Sequence, residues 1–110
     1  MKLANIPTGV ADWMTLPPSS QPGQSGNATV RTRQLGDIQV RLIHYSADYV
    51  ADHWCTKGHI VFVVSGEVLI EHQCGRTFSL KQSMTYHVSD QDGDGHRLSS
   101  EAGASLFIVE

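Results

Sequence analysis

A chain of 110 residues, 40% of them hydrophobic, is enough for one compact domain with a single core and too little for two. Its formal net charge is −3, and its eight Lys and Arg are scattered, with Arg31, Arg33 and Arg41 the nearest thing to a group. That excludes the concentrated basic face on which nucleic acid or an anionic membrane would sit. No apolar run is long enough to span a bilayer, and no hydrophobic leader is recognisable, so the expectation is a cytoplasmic protein with Cys55 and Cys74 as free thiols and a small molecule as ligand.

Residues 1–27 contain Pro7, Pro17, Pro18 and Pro22 among serines and glycines. Such density removes ladder donors and stops helices, so an irregular arm is expected. It would dock on the domain or on a partner subunit through Ile6, Val10, Trp13, Met14 and Leu16, with Trp13 as a packing plug rather than a ligand platform. The arm, together with strongly apolar edge sequences, implies surface that a lone chain would expose, and a homodimer is the expectation.

Residues 28–110 read as one β domain. Thr29 to Gln34 is a strand, Gly36-Asp37 a tight turn and Ile38 to Tyr45 the partner strand. Ser46 to Val50 connects to the stretch Asp52 to Gly66, which holds the unbroken apolar run Ile60 to Val64. Glu67 to His72 is expected to fold back on that run across a Ser65-Gly66 turn. Thr77 to Leu80 and Met84 to Val88 are two further strands, and a polar loop, Ser89 to Gly95, delivers His96 to the start of Arg97 to Ser100. Ala104 to Val109 is nearly all apolar and must be buried. Asp90, Asp92 and Asp94 alternate as in a calcium loop, but the closing bidentate Glu and the flanking helices are missing, so ordinary turn chemistry explains them. Short strands at regular spacing without a convincing helix describe an all-β sandwich or barrel.

The chemistry concentrates in Asp52 to Gly66. On an extended chain His53 and Cys55 share a face, and His59 joins them if the chain stays extended. Singly, each is an ordinary polar or small buried side chain. Together, two imidazoles and a thiol suit zinc, nickel, iron or copper better than magnesium or calcium.

The same residues carry a resemblance. The first motif of the cupin superfamily is His-x-His, three or four residues, Glu, six residues, Gly. It is matched in spacing by His53-Trp54-Cys55, Thr56 to Gly58, His59, Ile60 to Ser65 and Gly66. More narrowly, Asp52-His53-Trp54-Cys55, the Gly58-His59 pair and the closing Gly103-x-x-x-Phe107-Ile108-Val109 resemble the small single-domain DHCW-motif cupins, over most of the chain. The resemblance implies a double-stranded β-helix, or jelly-roll barrel, with a metal inside one mouth. Cys55 stands where the second histidine is usual and His59 where the glutamate is, so the implied ligands are altered: His53, Cys55, His59 and a histidine from the second motif. That motif is poorly kept. Gly75 stands at its opening, and the histidine it implies is His96, which begins a strand after a loop, in preference to His87 inside a strand.

Two functions follow from different classes. The first is a metal-dependent enzyme with an open coordination position, Trp54 and Tyr86 being candidate pocket residues; against this, both could simply pack between sheets. The second is a binding or sensing module in which four side chains close the metal's shell. No general base stands out in the sequence, and the fold alone does not choose a substrate.

Overall fold

Period-two alternation of apolar and polar residues runs through most of the chain, and a computed structural model, describing residues 3–90 and 93–110, resolves it into an antiparallel jelly roll. Asp92, the middle carboxylate of the Asp-rich loop, lies outside the described residues. The strands are β1 (Ser19–Pro22), β2 (Asn27–Leu35), β3 (Ile38–Tyr45), β4 (Tyr49–Val50), β5 (His59–His72), β6 (Thr77–Lys81), β7 (Thr85–Val88), β8 (His96–Ser100) and β9 (Ala104–Val109). No helix among the described residues is long and apolar enough to cross a membrane.

The β2–β3 hairpin forms as the sequence predicts, with Leu35 opposite Ile38 and Gly36 at φ +59° in its two-residue turn. β9 also falls on the predicted residues and pairs with β3 on one side and β5 on the other.

β5 departs from the expectation. The Ser65-Gly66 pair is not a hairpin turn: the strand runs on for 14 residues with a bulge between Val63 and Ser65. Its first half, Ile60 to Val63, lies between β7 and β9, and its second half, Leu69 to Glu71, between β6 and β8. One strand therefore belongs to both layers. Gly66 permits this, at φ +81° and so close to the Gly103 carbonyl oxygen that a Cβ would collide with it.

The core lies between the layers. Val61, Val63, Val68 and Ile70 of β5 face Val30, Ile43, Leu80, Leu98, Leu106 and Ile108, all buried. Burying a set of this size supplies the main driving force for the fold, at roughly 25 cal/mol per Å² of apolar surface.

The arm is less irregular than expected. Ser19–Pro22 pairs with β2 as an edge strand, where a proline at the last position costs no interior ladder bond. Ahead of it Trp13–Thr15 forms a 3₁₀ turn, capped by Asp12 Oδ1 accepting from the Met14 N–H at 3.1 Å. Trp13 stands edge-on to Phe107, ring centroids 6.2 Å apart. Ile6 and Leu16 are half-buried, whereas Val10 and Met14, also read as anchors, are exposed.

Candidate metal centre

Three of the predicted ligands meet at one end of the barrel. Cys55, His59 and His96 each offer one donor atom, and the three atoms all lie within 4.8 Å of one another. Different segments bring them there. Cys55 and His96 face each other through an isolated bridge, Cys55 N–H to His96 O at 2.7 Å and His96 N–H to Cys55 O at 2.8 Å. His59 opens β5. It is placed by Gly58, whose N–H donates to Asp90 Oδ1 at 2.6 Å and whose missing side chain lets the Asp90 backbone approach: a Cβ would lie 2.8 Å from Asp90 N.

His59 Nε2 is 3.3 Å from Cys55 Sγ. Zinc bonds of about 2.0–2.1 Å to nitrogen and about 2.3 Å to sulfur at a tetrahedral angle imply a ligand separation of roughly 3.5 Å, so this pair already has the spacing of a metal's shell. The His59 and His96 rings stand at 89°, centroids 4.9 Å apart. His96 Nε2 is buried and has no hydrogen-bond partner, a costly state that a metal or a ligand would relieve. The donor set fits a borderline transition metal.

The electrostatics agree with that. Burial, then the neighbouring His59 and His72, push His96 down to about 4. His59 is also held below its ordinary value, chiefly by burial, with Glu110 opposing and Arg41 and Lys57 adding to the effect. Both rings are therefore neutral near pH 7, the form in which imidazole binds a metal.

His53 is not brought into the cluster. Residues 51–58 form bends around the single bridge at Cys55, so the shared strand face expected for His53 and Cys55 does not exist. The His53 side chain is 75% exposed on the cavity rim, its Nδ1 2.7 Å from Asp52 Oδ1. His87 is exposed on β7, opposite Ile60. Trp54 lies beneath the Arg97 guanidinium, 4.4 Å from ring centroid to Cζ. Tyr86 is buried, its hydroxyl 2.6 Å from His72 Nε2. Neither aromatic lines the cavity beside the cluster.

Two residues of the site went unread in the sequence. Glu110 extends the inward series Ala104, Leu106, Ile108 by one more alternation, and its side chain, 7% exposed, reaches His59 Nδ1 at 2.9 Å and Arg41 at 3.0 Å. His72 likewise continues Val68 and Ile70. Its Nδ1 lies 3.1 Å from Asp94 Oδ2 while its Nε2 meets the Tyr86 hydroxyl, and its ring packs 5.8 Å from His96. Period two was the available signal for both.

The cavity above the cluster measures about 200 Å³. Beside the Cys/His cluster it exposes aliphatic wall from Val30, Ile43 and Ile108, and Tyr45 stacked on Tyr49 at 4.1 Å between centroids.

A jelly-roll barrel with a Cys/His cluster at one end defines the class, and comparison with solved structures identifies the fold as that of the cupins. A sugar phosphate isomerase from a cupin superfamily of Silicibacter pomeroyi superposes with a TM-score of 0.71 at 14% identity, over 92% of this chain and 74% of that one. A predicted oxalate decarboxylase of Thermotoga maritima gives 0.72 at 10%, over 92% and 96%. A cupin-2 domain protein of Shewanella frigidimarina gives 0.60 at 16%, over 74% and 78%. Likeness at such identities establishes shared architecture and nothing about activity. No family model and no curated protein matches the sequence.

Proposed function

We propose that the chain is a metal-dependent cupin acting on a small molecule, with Cys55, His59 and His96 as ligands of a divalent zinc, nickel or iron. The observation that carries this is the convergence of one thiol and two imidazoles within 4.8 Å, one imidazole having a buried nitrogen without a partner. Three protein ligands beside a cavity leave a coordination position for water or an oxygen-bearing substrate, the pattern of catalytic rather than structural sites. The alternative is a closed binding or sensing module with His53 as fourth ligand. It requires His53 to leave Asp52 and residues 51–54 to refold over the cavity mouth, and the exposure of His53 favours the open site.

The test is metal content with ligand variants. Purified protein is expected to hold about one transition metal per chain. His96→Ala and His59→Ala should lose it, while His53→Ala and His87→Ala keep it. Cobalt-loaded protein should show the intense near-ultraviolet band of thiolate coordination, abolished in Cys55→Ser. Absence of metal, and none taken up on incubation, overturns the proposal. Loss of metal in His53→Ala equal to that in His96→Ala favours the closed module.

A further inference from the structure

Charge around the cavity is segregated in a way the metal cluster does not need. The chain carries 11 Asp and Glu against 8 Lys and Arg, yet the cavity wall has three cations, Arg41, Lys57 and Arg97, and a single carboxylate, Glu110. Glu110 is already engaged by Arg41 at 3.0 Å. Arg97 lies 3.7 Å from Glu71, outside the cavity lining, and stacks on Trp54. Lys57 is exposed at the mouth and has no ion-pair partner among the described residues. Arg41 and Lys57 line the same cavity as His59. Tyr45 and Tyr49 are held protonated by burial, so they offer neutral hydroxyls and add no negative charge. Most of the remaining wall is aliphatic, from Val30, Ile43, Leu98 and Ile108, with Gln21 and His53 as its polar members.

A pocket whose one uncompensated charge is a lysine at its mouth, with hydrocarbon along much of its wall, selects an anion with an apolar body. At about 30 Å³ per water, 200 Å³ is room for roughly seven water volumes, so the body is short. We propose that the cavity binds a small aliphatic carboxylic acid as its carboxylate, the charged end toward Lys57 and the chain against Val30, Ile43, Leu98 and Ile108. This rests on the reading of the cavity as a small-molecule site and not on the identity of the metal.

The test is binding of butanoate, butanamide and inorganic phosphate to zinc-loaded and to metal-free protein, followed by amide chemical-shift titration. The controls are the variants Lys57→Met and Lys81→Met; Lys81 is an exposed residue of β6 outside the cavity lining. Butanoate is expected to shift cavity amides, and to bind at least about tenfold tighter than butanamide, because one close charge pair in partly screened surroundings is worth about that factor. Lys57→Met should reduce butanoate affinity about tenfold, with unchanged spectral dispersion, whereas Lys81→Met should not alter it. Equal binding of acid and amide, no shift with either, or an unaffected Lys57→Met overturns the proposal. Phosphate binding tighter than butanoate overturns the apolar-body part of it. If zinc fails to bind while metal-free protein still discriminates acid from amide, the metal reading fails and this one stands. If zinc binds and the discrimination is absent, the reverse holds.

Discussion

Glu110 sets one carboxylate against two partners, a neutral imidazole and a guanidinium: Oε2 lies 2.9 Å from His59 Nδ1 and Oε1 3.0 Å from Arg41. Oε2 and Nδ1 are within ion-pair distance but out of hydrogen-bond geometry; a ring proton on Nδ1, turned toward that carboxylate, would leave Nε2, the nitrogen beside Cys55 Sγ, as the donor. Such outer partners fix ring orientation and basicity, and their loss typically costs 10–100-fold in metal affinity. Glu110→Gln, which keeps the shape and removes the charge, is expected to weaken zinc binding about tenfold in competition with a chromophoric chelator; unchanged affinity would show that the contact is incidental. His96 makes a second prediction. In the metal-free protein its pKa is about 4 against an ordinary 6.5, so between those values the unfolded chain binds more protons than the native one. Stability should therefore rise with pH from about 4 to about 6.5 and level off above, as far as this group is concerned, with His59 acting in the same direction. Urea midpoints of metal-free protein across that window provide the measurement, and a flat profile would contradict the burial argument.

At the scale of elements, β5 decides the architecture, and Gly66 is the residue on which its passage between layers depends. Gly66→Ala puts a β-carbon at φ +81° against the Gly103 carbonyl. A destabilisation of about 1–3 kcal/mol is expected, seen as a lowered melting temperature; a melting point within a degree of wild type would be inconsistent with that close approach. This strand also shows where sequence reasoning stops. Its apolar run and β9 were legible as nearly continuous apolar stretches, and the β2–β3 hairpin from alternation and its Gly36-Asp37 turn. The Ser65-Gly66 pair looked like a turn because serine and glycine serve turns and bulges alike, and only pairing with the distant β8 and β9 separates the two. At the site, Cys55 and His59 were legible from residue type and spacing, whereas His96 came from the resemblance to the second cupin motif. His53 was placed with them on the assumption of an extended chain, which the bends around Cys55 break. Glu110 and His72 were missed although both continue an inward alternation, since charged and titratable residues are rarely assigned to a core.

For the whole molecule, the outer face of the sheet containing β3, β9 and β7 is unusually apolar. Ile60, Phe62 and Val64 alternate along β5 at 41%, 39% and 43% exposure, Phe62 opposite Phe107 and Ile60 opposite Val109. The arm touches this face through Trp13 and leaves much of it bare. A homodimer built on this face is expected, with light scattering returning twice the 12.1 kDa chain mass and Phe62→Lys reducing it to one; a monomer at micromolar concentration would refute the pairing. The placement of β5 has one more consequence, and it concerns time. A ribosome that has released the chain through Val88 has made Cys55, His59 and all of β5, but neither β8 nor β9. At that stage the strand lacks an interior neighbour in each layer, and the cluster lacks His96. Such long-range pairing is slow, because loop closure precedes the contacts that reward it. Of the three clustered donors, the nascent chain then has only Cys55 and His59. On the proposed reading of the site, metal capture would complete the folding of this protein rather than nucleate it.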